Sequence, residues 1–489
     1  MFKKMAAGAG LIVAAGAAVV GINTARFSPA DVAGTLGIRL AAAPVIDVPK
    51  AAERLSAAIR FQTISNQDPT QNKVEEWAKL QDWLKASYPA AHAHLKRSAL
   101  SSRTMLFEWP GSDPAAKPII LMAHQDVVPV TPGTEGDWKY PPFEGKIAEN
   151  AVWGRGTIDD KGSLIGLFEA LEILAKQGFK PKRSIWIVSG DDEEVGGTGA
   201  KGAATLLASN GVKALFTLDE GSAIVTDAPV VNGPAVLIGV SEKGYGTLKV
   251  TARAKGGHSS MPPEDIGTVN LAKAIVAIHA HQFSSALHPP VTAMIEALAT
   301  RKGGMVKVAD ANQWLFGGVI RAQFASTPSG ASMLHTTIAP TMLEGSPKEN
   351  VLPQAANALI NFRIAPWDSS ADVLAHIQKS VVGMPVTLSW TKPPREPSPI
   401  SSTTSLGWSF VRAAGEAEAP GAVVAPYLVV AGTDSRSMSA VSDDVYRFIP
   451  IKVSLKETAM IHGTNEHMTL DNLEHVIRFF TRLIATSAG

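Results

Sequence analysis

The chain has 489 residues, a formal net charge of +1 and no cysteine. With 45% hydrophobic and 18% charged residues it is a folded globular protein, long enough for two or three domains, and disorder over most of its length is excluded. The balanced charge without a clustered basic run excludes a nucleic-acid surface, and the missing thiols exclude disulfide staples and thiolate metal sites.

Lys3 and Lys4 precede an uncharged apolar stretch, Met5 to Ile22, of about 18 residues. That length lies between a secretory core and a spanning helix. Residues 1–22 therefore read as a signal anchor or signal peptide. With no clean small-x-small cleavage site before Arg26, an uncleaved anchor is favoured, and the bulk of the chain is expected to be exported or membrane-anchored, periplasmic or otherwise extracytoplasmic. A buried Ala/Gly-rich helix is the alternative. Membrane contact is expected through this segment only, and residues 23–48 read as a linker.

From Pro49 the pattern turns helical, with a second helix over 73–86. Pro118 to Met122 (PIILM) is a short apolar run, 162–178 is a helix with a glycine stop, and Ile185 to Val188 is another run. Strand, helix, strand predicts a βαβ unit of a buried parallel sheet. A helix over 198–210 and a strand over 214–218 continue it. Thr247 to Lys255 and Ala355 to Ile364 instead alternate apolar and polar residues, as half-exposed antiparallel strands do. The expected organisation is a first domain over 49–241, an inserted α+β domain over 242–392 ending at TKPPREPSP, and completion of the first domain over 393–489.

Ligands of open α/β sheets bind beyond the carboxyl ends of the strands. His124 and Asp126 follow PIILM; Asp159 precedes the long helix; Glu193 and Glu194 follow IWIVS; Asp219 and Glu220 follow ALFTL; His462 lies near the C-terminus. Singly, a histidine there is more often structural and Asp159 could be a helix cap. Together, Glu, His and Asp without cysteine suit a hydrolytic zinc site. If His124 binds metal through one ring nitrogen, Asp126 can accept from the other, although a turn-forming Asp is the alternative.

The stretches HQDVVP (124–129), GRGTIDDKG (154–162), DDEEVGGTGA (191–200), LDEG (218–221), GGHSSMPPE (256–264), NFR (361–363), GTDSR (432–436) and IHGTNE (461–466) resemble the dinuclear zinc peptidase family. That family includes aminoacylase and carboxypeptidase S. SEKG (241–244), TDSR and HGTNE resemble its branch of carboxypeptidase S and N-fatty-acyl-amino-acid hydrolases. The resemblance implies an α/β fold: a mostly parallel three-layer catalytic domain with an inserted α+β lid, through which the chain could form a homodimer. It implies two Zn2+ per subunit, with His124, Asp159 bridging, Glu194, Glu220 and His462 as ligands; Co2+ or Mn2+ suit the same donors. Asp219 competes with Glu220, since a one-residue slip exchanges them. Glu193 resembles the general base, Asp126 the partner of His124, and His258 a lid histidine that in many relatives serves the other subunit of a dimer. Arg363, Asn350 and Arg436 resemble groups that hold a substrate carboxylate. The implied reaction is hydrolysis of an amide to an amino acid with a free carboxylate, in a small peptide or an N-acyl amino acid. A catalytically silent binding module is the rival reading.

Overall fold

A computed structural model describes residues 2–27, 37–100, 102–228, 231 and 233–489, with side chains left out at 2–13 and 300–302. Its central feature is a large mixed, mostly parallel sheet. Ile119–Met122 lies at the centre, parallel to Ile185–Ser189 on one side and Phe216–Asp219 on the other. Val445–Arg447 continues the sheet parallel to Phe216–Asp219. Antiparallel strands Met105–Trp109 and Lys96–Ser98 close one edge, and Gly233–Glu242 carries the sheet towards the other, where Val423–Val429 pairs with it in parallel.

Helices cover both faces. Val48–Ile59, Lys161–Lys176, Leu406–Glu418 and Leu470–Ser487 pack on one side; Thr198–Ser209 packs on the other. This is the three-layer α/β arrangement read from the sequence. All four side chains of Ile119–Met122 are buried, each worth roughly 1.5–3 kcal/mol, so the strand end that carries Ala123 and His124 is firmly mounted. The strand expected over 214–218 begins at Phe216, because Ala214 makes only an isolated bridge to Ser442.

A second, antiparallel sheet has the order Thr337–Glu344, Ala355–Ile364, Gly244–Arg253, Val386–Trp390. Ala355–Ile364 alternates between buried and half-buried side chains along its whole length, as its sequence pattern requires. The helices Gly267–Ala280 and Ser370–Ser380 supply Leu271, Ala274, Val373 and Ile377 to the core under its apolar face. Between these elements runs a helical excursion that no sequence pattern had marked: Val291–Lys302, Gly304–Ala311, Gln313–Ala325 and Pro328–Leu334. Its first helix packs Val291, Met294 and Leu298 against Ala425 and Leu428 of the large sheet, away from the small one.

The N-terminal helix spans Phe2–Arg26 and so runs past the expected boundary at residue 22. Among the described residues no helix is long and apolar enough to cross a membrane. The anchor reading falls largely on side chains outside the described residues, as residues 28–36 of the expected linker do. The end of that linker is docked: Ala41 donates to Thr486 Oγ1 at 3.0 Å and accepts from Arg482 Nε at 3.0 Å.

Candidate metal centre

The acids and histidines at the strand ends converge. His124 is buried, with Nε2 2.8 Å from Asp159 Oδ1 and Nδ1 3.0 Å from the Asp126 carbonyl oxygen. Ligand atoms of His124, Asp159 and Glu194 all lie within 4.8 Å of one another, and so do those of His124, Glu193 and Glu220. His462, half-exposed at the mouth, brings Nε2 to 3.1 Å from Asp159 Oδ2 and 3.0 Å from Glu194 Oε2. Its φ of 60° is in the left-handed region, unusual for a side chain of this size.

Asp126 organises the centre. Its carboxylate sits 3.3 Å from His124 Nδ1 through Oδ1 and accepts the Glu193 amide at 3.2 Å; Oδ2 accepts the Glu194 amide at 3.2 Å and the Ser65 hydroxyl at 2.5 Å. One buried carboxylate thereby orients the histidine and fixes the short turn Glu193–Val195. The tautomer-setting acceptor for His124 is shared between the Asp126 carbonyl and its carboxylate, where the sequence suggested the side chain alone.

A second buried carboxylate does the same for the opposite wall. Glu466 accepts from Arg155 Nη1 at 2.6 Å and from the amides of Gly156, Ile158 and Asp159 at 2.9, 2.8 and 3.1 Å. Arg155 Nη2 donates to the carbonyls of His462 and Gly463. The loops GRGTIDD and IHGTNE are thus clamped together, which brings Asp159 and His462 side by side. Asp159 is no helix cap. That position is Asp160, whose Oδ2 accepts the His124 amide at 3.2 Å.

Asp219 and Glu220 part company as neighbours on a strand end do. Asp219 Oδ2 accepts the Ser435 amide at 2.8 Å, whereas Glu220 lies with His124 and Glu193. The GTDSR loop adds Asp434, a buried acid the sequence reading passed over. A Cβ at Gly190 or Gly197 would run into its carboxylate oxygens, and Gly197 also has φ +66°, which favours glycine.

So many acids in one place repel. Burial pushes the Glu193 carboxyl well up, and burial with Asp159 and Asp160 does the same to Glu220. Burial and Asp159 also raise Glu194. Asp159, which burial would raise, is held low by His124 and His462, and Asp159 and Glu194 together hold the His462 imidazole up at about 10. Glu194 Oε1 is buried without a hydrogen-bond partner among the described residues. A buried, mutually repelling set of carboxylate and imidazole donors with an orphaned oxygen fits hard or borderline divalent cations, which would relieve the repulsion.

The substrate candidates divide. Arg363 lies with its guanidinium 4.9 Å above the Tyr245 ring, and Arg395 occupies the same ring at 5.3 Å. Arg436 pairs with Glu242 at 3.0 Å and donates from Nε to the Thr433 carbonyl. Arg395 and Arg436 line a small recess with Glu193, Asp434 and the Gly196 and Gly197 turn. Arg395 sits inside the proline-rich return stretch, whose composition signalled only a linker. His258 and Asn350 stand elsewhere. They line an open cleft of roughly 600 Å³ on the lid, His258 exposed and bonded to Ser260 Oγ at 2.7 Å, and no candidate metal ligand lines that cleft.

This fold and donor set define a metallohydrolase. Residues 120–486 match the model of peptidase family M20/M25/M40, and the chain belongs to that family. It is 34% identical over 440 residues to probable carboxypeptidase S-like 2 of Dictyostelium discoideum, covering 88% of this chain and 84% of that one. It is 32% identical to N-fatty-acyl-amino acid synthase/hydrolase PM20D1 of Homo sapiens, covering 88% and 86%, and 29% identical to carboxypeptidase S of Saccharomyces cerevisiae, covering 87% and 82%. Among solved structures, the M20 family metallo-carboxypeptidase Sso-CP2 of Sulfolobus solfataricus superposes with a TM-score of 0.65 at 15% identity, covering 89% of this chain and 99% of that one. Human carnosine dipeptidase 1 gives 0.60 at 14%, covering 91% and 99%.

Proposed function

We propose that the protein hydrolyses the amide bond of a carboxypeptidase S-type peptide or an N-acyl amino acid, releasing an amino acid with a free carboxylate. The observation that carries this reading is the mount made by Asp126, which holds His124 and the backbone of both Glu193 and Glu194. His124, Asp159, Glu194, Glu220 and His462 would hold two Zn2+, with Asp159 shared. When bound, the ions would supply positive charge that acidifies a water and polarises the amide carbonyl.

The chain's own groups do the rest. Glu193, one residue from a ligand and raised by burial, takes the proton of the attacking water and gives it to the leaving nitrogen. The cationic wall of Arg363 and Arg436 receives the substrate carboxylate, and Asn350, which lines the lid cleft beside His258 and whose buried Oδ1 has no hydrogen-bond partner among the described residues, would reach it from a second subunit as His258 does. His258 donates to the developing oxyanion. Its distance from the other groups suits delivery from the lid of a second subunit, so the functional unit is proposed to be a homodimer. The apolar N-terminal segment would hold the protein at a membrane with the bulk outside the cytoplasm.

The retained donor set and Glu193 speak against a silent binding module. Glu193→Gln tests the point. The variant should keep its metal, measured by elemental analysis, and lose roughly 10²- to 10⁴-fold in kcat on dipeptides or N-acyl amino acids. Full turnover would remove Glu193 from the mechanism, and loss of metal would make it a ligand instead.

A further inference from the structure

The helix Gln313–Ala325 (QWLFGGVIRAQFA) contains no buried residue, yet its one charged side chain is Arg321. Ile320 and Phe324 pack, half-buried, against the core beneath it, and the apolar face left on the other side is out of place in water. Trp314 is 65% exposed and Val319 68%, with Leu315 beside them. The preceding helix, Gly304–Ala311, adds Met305, also exposed.

This surface is continuous with the N-terminal helix. Asn312, fully buried between them, donates from Nδ2 to the Val20 carbonyl at 3.4 Å and to Thr24 Oγ1 at 3.2 Å, and accepts from Asn23 Nδ2 at 3.0 Å. Val19 and Ile22 of the N-terminal helix are exposed in turn. Two pieces of chain some 290 residues apart are therefore pinned together by polar bonds while their apolar side chains stay outside. The charge suits one occupant. Lys3, Lys4 and Arg26 flank the uncharged stretch of the N-terminal helix, and Arg301, Lys302, Lys307 and Arg321 outnumber Glu296 and Asp310 in the excursion.

We propose that the helical excursion 291–334 is a second membrane-docking element. It lays the face of Trp314, Leu315, Val319 and Met305 into the headgroup and outer acyl layer of an anionic phospholipid bilayer, alongside the N-terminal helix. A tryptophan at the rim, aliphatic side chains below and cations around them are what such an interface selects. Contact through two elements fixes the orientation of the domain on the membrane, which one N-terminal tether would leave free.

The test uses the full chain with vesicles of phosphatidylcholine and phosphatidylglycerol carrying brominated acyl chains. There are ten tryptophans, so the readout is the difference between wild type and Trp314→Phe. Bromolipid quenching of wild type should contain a component that the variant lacks. Replacing Trp314, Leu315 and Val319 together with Glu should weaken vesicle binding by about tenfold or more, with the melting temperature unchanged because none of the three is buried. Equal quenching of wild type and Trp314→Phe overturns the proposal. So does unaltered vesicle binding by the triple variant, and so does a triple variant that merely turns a dimer into a monomer, which would assign the face to a second copy.

Discussion

The two places where the polar residues collect are built differently. Around His124 and Asp159 each side chain or loop is held by a buried carboxylate, Asp126 on one wall and Glu466 on the other, and each accepts several bonds at once. Around His258 and Asn350 there is an open cleft on a two-residue strand pair, Gly257–His258 with Val351–Leu352, and the histidine's bond is to a neighbour two residues away. The first is preorganised at the cost of repulsion among its acids. The second has little to hold it within one chain, and in the proposed reading it acquires its place only when the lid meets a partner and a substrate.

Breaking this contrast should show it. Glu466→Ala leaves the fully buried Arg155 unpaired and three amides without their acceptor, which should cost about 3–5 kcal/mol of stability, read from chemical denaturation. His258→Ala should lower kcat by about 10²- to 10³-fold, as loss of an oxyanion donor does, and leave the melting temperature where it was. A stability loss there would mean the cleft is as built as the centre. Asp126→Ala should reduce metal affinity about 10- to 100-fold, followed by competition with a chelator, because the His124 ring and the Glu194 turn lose their common support.

The smallest effect lies far from both places and serves as a reference. Burial would raise the Glu418 carboxyl, but hydrogen bonds from His475 and Arg478 take it below its ordinary value. A depressed carboxylate contributes stability that is fully present above its unfolded pKa near 4.5 and is lost as pH falls through the lower folded value. Wild type should therefore be more stable than Glu418→Gln at pH 7, with the gap in melting temperature closing below about pH 4.5.

Much of the centre was legible because strand ends advertise themselves. A four- or five-residue apolar run followed by His124, by Glu193 and Glu194, or by Asp219 and Glu220 locates both the sheet and what stands on its edge. The alternation of Ala355–Ile364 was equally plain. What escaped were contacts between distant loops: Glu466 reads as one more acid in a loop until Arg155 faces it, and Asp434 until Gly190 and Gly197 make room for it. Arg395 hid in a proline-rich segment whose backbone pairs with Tyr245 in both directions at 2.8 Å. The excursion 291–334 was missed for a different reason. Gln313–Ala325 has no polar face to give it a period, and periodicity is what reveals a helix.

The clamp made by Glu466 also sets an order of events during synthesis. It reaches across 307 residues to the Asp159 amide, and His462 comes from the same late segment. A ribosome must have delivered those 307 further residues before Glu466 arrives. Until then Asp159 lacks the clamp that sets it beside His462, so the proposed cation cage closes only once residues 462–466 have been delivered.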